Sequence, residues 1–225
     1  LWRYRDLLYF LTWRDLVVRY KQTVVGVAWA LLQPLLTMAV FVVFGGLLGV
    51  PTGGVPRPVM VFAALLPWQF FSAALSACSG SLVNSSNLIS KVYFPRLIVP
   101  LSAIMVSLVD FLVAGTFLAG LMVWYGILPD WRIVALPLFA LLAFICALGG
   151  GLWLTALMVR YRDFRIVLPF VLQFCTFVSP IAFNSSVVPE KWFLLYSLNP
   201  MVAVIDGFRW SLLGGSHGLH PIGLL

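Results

Sequence analysis

Few residues in this chain are equipped for covalent chemistry. Its two histidines, His217 and His220, lie near the C-terminal end, outside every long apolar run. Cys78, Cys146 and Cys175 fall in or beside apolar stretches without metal-ligand or disulfide spacing, which suits small buried thiols. No GxxxxGK[ST], HExxH, CxxC or GxSxG pattern occurs. A phosphate-cradling loop, a zinc site and a serine-hydrolase elbow are therefore excluded, and no catalytic residue, metal ligand or cofactor is expected on the chain. The one acid inside a predicted span is Asp110. A carboxylate there costs about 2.5–3.5 kcal/mol on insertion scales, so it should face a partner or a water-filled path. A proton relay needs a chain of titratable groups that no other apolar run supplies, which favours structural pairing. Asn84-Ser85-Ser86 and Asn184-Ser185-Ser186 fit a glycosylation sequon too short and common to carry an argument.

The most informative segment is Asn84 to Pro100, a charged, proline-bounded stretch between two apolar runs. Within it, Asn87 to Arg96 is predicted to form a short helix. Leu88, Ile89, Val92, Tyr93 and Phe94 are apolar anchors, Lys91 and Arg96 are charges, and Pro95 and Pro100 fix the end. Such an element fits a groove on a soluble partner and equally fits a connecting loop with snorkelling cations.

The elements that position these residues follow from composition. The chain is 62% hydrophobic and 9% charged, with a mean hydropathy of +1.05, which a soluble domain of this length has no means of hiding from water. The net charge of +7 sits in short clusters between apolar runs, which argues for topology signals and against a nucleic-acid surface. Crossing a bilayer takes about 20 apolar residues. Five segments qualify: Trp29 to Val50, Val59 to Ser79, Val99 to Tyr125, Ile133 to Val159 and Ile166 to Phe183. Pro34, Pro67 and Pro169 lie inside three of them, where kinks are expected.

A cytosolic N-terminus puts Arg3, Arg5, Arg14, Arg19, Lys21, Lys91, Arg96, Arg160, Arg162 and Arg165 inside, against Arg57, Arg132, Lys191 and Arg209 outside. Trp192 to Gly215 is broken by Asn199-Pro200 and carries Asp206 and Arg209, so two half-helices dipping back from the outer face are expected. In the N-terminal segment Tyr4, Leu7, Leu11 and Val18 recur on one side, with Arg5, Thr12 and Arg19 opposite. That pattern predicts a helix lying in the cytosolic interface, with Arg14, Arg19 and Lys21 near headgroups. No signal peptide is visible, and Leu219 to Leu225 has the look of a further apolar run beginning.

An ordered set of motifs resembles the membrane subunits of type 2 ABC transporters that export polysaccharides such as O-antigen, capsule or teichoic acid. The set runs RDLVVRYKQTVVGVAWALLQP (Arg14 to Pro34), LLPWQFF (Leu65 to Phe71) and SLVNSSNLISKVYFPRLIVP (Ser81 to Pro100). It continues with LVDF (Leu108 to Phe111), WLTALMVRYRDFR (Trp153 to Arg165), LYSLNPM (Leu195 to Met201) and GFRW (Gly207 to Trp210). Phe183-Asn184 stands where the family pattern has Tyr-Pro, and Met158 where it has Asn.

The resemblance implies an all-α integral membrane protein forming one transmembrane domain over residues 1–225. An interfacial helix would occupy 1–28, five visible spans 29–183, and outer gate helices 192–213, with a sixth span beyond the C-terminal end. It also implies a bacterial cytoplasmic (inner) membrane. Residues 87–96 become a coupling helix, with Asn87, Leu88, Lys91, Val92, Tyr93, Phe94, Pro95 and Arg96 engaging an ATPase subunit that binds ATP and Mg. One copy of five or six helices encloses no passage wide enough for a glycan, so a second copy is expected across a two-fold axis, with two ATPases. Aromatic rings offer flat faces to sugar C–H groups, which makes Trp68, Phe70, Phe71, Phe174 and Phe177 candidate lining residues for a lipid-linked glycan. A drug or lipid exporter of the same class, or a membrane scaffold of a glycan-synthesis complex, would share this composition.

Overall fold

A computed structural model describes residues 4–21, 28–49, 52, 54–128, 130–161, 163–181, 183, 196 and 199–214. The described residues form helices and no strands. In chain order these are α1 (Arg5–Lys21), α2 (Ala28–Leu47), α3 (Arg57–Asn84), α4 (Ser86–Lys91), α5 (Ile98–Trp124), a 3-10 turn (Trp131–Ala135) leading into α6 (Leu136–Arg160), α7 (Phe164–Val178) and α8 (Pro200–Leu213). Prolines mark several starts. α3, α6 and α8 each carry Pro in the first two positions, where its missing N–H costs nothing. Asn199 caps α8 by accepting from the Met201 N–H at 3.0 Å, and Asp130 caps the 3-10 turn by accepting from the Trp131 N–H at 2.8 Å.

Among the described residues three helices are long and apolar enough to cross a membrane: Arg57–Asn84, Ile98–Trp124 and Trp131–Arg160, of 28, 27 and 30 residues. At 1.5 Å per residue each exceeds the roughly 30 Å of hydrocarbon. The other two expected spans are shorter. α7 has 15 residues and stops at Val178, where Ser179 turns extended ahead of Pro180, so it falls short of the Phe183 end read from the sequence. The helices continue through Pro34, Pro67 and Pro169.

α3 is the central post, packing on α2, α5, α6, α7 and α8. Its buried run from Val59 to Trp68 is almost wholly apolar. Against α6 the contact is made by small residues: Ala74 and Cys78 meet Ala143, Ala147 and Gly151. A Cβ on Gly151 would come within 2.6 Å of the Cys78 sulfur, so only glycine lets the helices approach this closely. The Thr155 hydroxyl seals the contact by donating to the Cys78 carbonyl at 3.0 Å. Met158 is buried with Leu75 and Leu168.

Candidate functional site

Between α2, α3, α5, α7 and the end of α1 lies an open cavity of about 810 Å³. Each helix contributes a stripe at helical spacing: Gln33, Thr37 and Phe41 from α2; Gln69, Ser72 and Ser76 from α3; Ser107, Asp110 and Phe111 from α5; Gln173, Thr176 and Phe177 from α7. Its ionisable lining groups, among the described residues, are Arg19, Tyr20 and Asp110. They form one cluster. The Arg19 guanidinium meets the Asp110 carboxylate at 2.8 Å, and the Tyr20 hydroxyl donates to the other carboxylate oxygen. Burial first, and then the Asp110 carboxylate, hold the Tyr20 phenol well above its ordinary value, so it remains a protonated donor. Asp110 thus has partners supplied by α1, whose Arg19, itself exposed, reaches the carboxylate at the edge of the cavity.

α1 packs by Tyr4, Leu7, Leu8 and Leu11 against Phe94, Ile98, Val99, Leu82, Leu88 and Ile89. That is the predicted apolar side, except that Val18 is exposed, while Tyr9 and Trp13 stack on one another on the open face. Of the expected headgroup residues, Arg14 pairs with its neighbour Asp15 at 2.7 Å, Arg19 is held by Asp110, and Lys21 is exposed.

The aromatic candidates separate. Trp68, Phe70 and Phe177 line the cavity, whereas Phe71 and Phe174 do not. Phe71 packs beside Trp68 with ring centroids 5.8 Å apart, and Phe174 is exposed on α7. Trp68 and Phe70 are each 3% exposed, so they act as wall, and the open aromatic face belongs to Phe177 at 66%. The Trp68 ring is fixed by its N–H, which donates to the Thr176 hydroxyl at 2.9 Å and ties α3 to α7.

The Asn87 to Arg96 segment is only partly helical, which corrects the sequence reading. α4 ends at Lys91, Val92 turns extended and no helix follows through Pro95, because proline excludes helical backbone from the residue before it and Val92 is β-branched. Tyr93 is 99% exposed and Phe94 only 8%. Phe94 anchors the segment to α1 and α5, while Tyr93, Lys91, Val92, Asn87 and Arg96 face outward. Leu88 and Ile89 are half-buried beneath them and Pro95 beside them.

α8 begins at Pro200, as the Asn199-Pro200 break predicts; of the first half-helix, only Tyr196 lies within the described residues. Arg209 needs correction. Counted from the sequence as an outward topology charge, it is 1% exposed and donates to the carbonyls of Ile181 at 2.7 Å and Phe183 at 2.8 Å. Without a guanidinium there, those carbonyls of the turn after α7 would lose charge-assisted donors in an apolar setting.

Sequence reasoning centred on charges and rings passed over Gln33, Gln69, Gln173, Ser107 and Tyr20. The signal was present, since each Gln is followed three or four residues later by Ser or Thr inside an apolar run. A family model described as ABC-2 type transporter matches residues 6–213. The O-antigen export system permease protein RfbA of Myxococcus xanthus is 29% identical over 212 residues, covering 93% of this chain and 81% of that protein. Two proteins of the same name from Klebsiella pneumoniae are 28% and 27% identical, each covering 98% of this chain and 85% of its own length.

Proposed function

The chain belongs to the ABC-2 type transporter family, and we propose that within it this protein is the permease subunit of an ATP-driven exporter moving a lipid-linked polysaccharide across the bacterial cytoplasmic membrane. The observation that carries the proposal is its similarity, along nearly its whole length, to relatives named as O-antigen export permeases. The cavity adds chemical support. Aromatic wall and uncharged hydrogen-bonding groups in one apolar setting suit a sugar chain, which presents C–H faces and hydroxyls together.

In this reading five helices, α2, α3, α5, α6 and α7, cross the membrane with the N-terminus in the cytosol. A sixth span completes the domain, and α8 belongs to an outer gate. Two copies pair so that their cavities face a common path, and two ATPase subunits, holding ATP and Mg, dock on the α4 ends. Tyr93 is the contact residue there and Phe94 the rigid link: motion delivered to the exposed tip passes through Phe94 to Ile98 and Val99 at the start of α5. The lipid-linked glycan reaches the cavity beside the end of α1.

The test is purification of the full-length protein in mild detergent, with mass identification of companions and an ATPase assay. A P-loop ATPase recovered in equal amount, with hydrolysis stimulated by a lipid-linked glycan, is the expected result. Glycan-synthesis enzymes recovered without an ATPase would make the protein a scaffold. Stimulation by hydrophobic drugs alone would make it a drug exporter.

A further inference from the structure

We propose that the cavity selects a neutral, hydroxyl-rich glycan and disfavours acidic ones. The inference rests on the export reading above and narrows its substrate. Two observations carry it.

The first is charge. Among the described lining residues the only full charges are Arg19 and Asp110, and these neutralise each other at 2.8 Å. Every other polar lining group is an amide, a hydroxyl or a phenol: Gln33, Gln69 and Gln173, with Thr37, Ser72, Ser76, Ser107 and Thr176, and Tyr20. A carboxylate or phosphate diester on the sugar chain would lose its hydration in a wall with no unpaired cation. Taking Arg19 for itself would strand Asp110, whose carboxylate would then repel the same ligand.

The second is hydrogen-bonding capacity left over. Ser107 is 2% exposed, lines the cavity, and its hydroxyl makes no hydrogen bond among the described residues. A buried polar group in an apolar setting is ordinarily satisfied, so this one calls for a donor or acceptor from whatever fills the space. The carboxamides of Gln33, Gln69 and Gln173 likewise form no hydrogen bond with described residues. An amide offers two donors and one acceptor, which matches a sugar hydroxyl in either sense. Three amides on three helices therefore face the same space, backed by Trp68, Phe70 and Phe177.

The decisive experiment uses the full-length permease with its ATPase subunit in lipid nanodiscs. The probes are three polyisoprenyl diphosphates: one bare, one bearing a neutral hexose tetrasaccharide, and one bearing the same tetrasaccharide with a glucuronic acid in each repeat. The neutral glycolipid should bind and stimulate hydrolysis at a concentration roughly tenfold or more below the acidic one, the penalty for an unpaired carboxylate in a neutral wall. Gln173→Lys should shrink that ratio, and Ser107→Ala should weaken neutral binding severalfold at unchanged yield and melting temperature. An acidic glycolipid binding as well as or better than the neutral one would overturn the selectivity while leaving glycan export intact. Equal responses to the bare carrier and both glycolipids would overturn the export reading itself.

Discussion

α4 with its following turn and α8 are both short, proline-flanked and built from apolar residues with a few cations, yet the fold uses them oppositely. α4 has no buried residue, and its segment touches the body mainly through Phe94. α8 is buried along most of its length against α3 and α6, with Phe208 and Ile205 fully enclosed. Lys91 and Arg96 project outward, whereas Arg209 turns inward to two carbonyls. The difference teaches that a cation beside an apolar run marks a surface only where no unsatisfied carbonyl lies within its reach. Where the chain turns against the body of the protein, as it does past the end of α7, carbonyls such as those of Ile181 and Phe183 attract the guanidinium.

Removing the inward cation should have the largest effect. Arg209→Leu deletes at least two charge-assisted hydrogen bonds at a buried site, and a loss of about 3–5 kcal/mol is expected, read as a lower midpoint of unfolding in detergent. Arg209→Lys, with one compact ammonium in place of the fork, should retain about half of it. Next comes the anchor of the exposed tip. Phe94→Ala should cost about 3 kcal/mol by the same assay, since it empties a buried ring site between α1 and α5. It should uncouple the ATPase only as a consequence of that loosening.

A third substitution probes how tightly α8 is seated. A Cβ on Gly207 would lie 2.3 Å from the Phe139 ring, so Gly207→Ala should destabilise by about 1–3 kcal/mol as α8 is pushed off α6. An unchanged midpoint would mean that α8 is held loosely and differs less from α4 in its seating. The smallest stability effect belongs to Tyr93→Asp. At 99% exposure the ring packs on nothing in this chain, so the melting temperature should stay put while recovery of the ATPase and its stimulation fall. A shift as large as that of Phe94→Ala would show the tip to be structural.

Tyr93 and Phe94 show how far the sequence was legible. Both were visible as apolar residues next to Pro95, but the helix stops at Lys91, short of that proline, and Pro100 lies inside α5. Which of the two faces outward depends on the non-helical backbone from Val92 to Pro95 and on where Leu11 and Ile98 stand, neither of which local spacing contains. Trp68 and Phe70 were likewise singled out as rings, but the central position of α3 turns them into wall and leaves Phe177 as the open face. Asp110 was recognisable as an acid needing a partner. That partner comes from Arg19 and Tyr20, some ninety positions away.

The sequence by itself determined that this is a helical membrane protein, where its long apolar helices run, and that Asn199-Pro200 starts a new helix, because these follow from local hydropathy and from the proline ring. Its ordered motifs carried the family. Only the tertiary structure decided which polar residues converge. The cavity joins stripes from α2, α3, α5 and α7 with the end of α1, and Arg209 reaches back to the turn after α7. Periodicity says which residues of one helix share a face, but the small-residue seam of α3 against α6 and the seating of α1 on α5 set which faces meet.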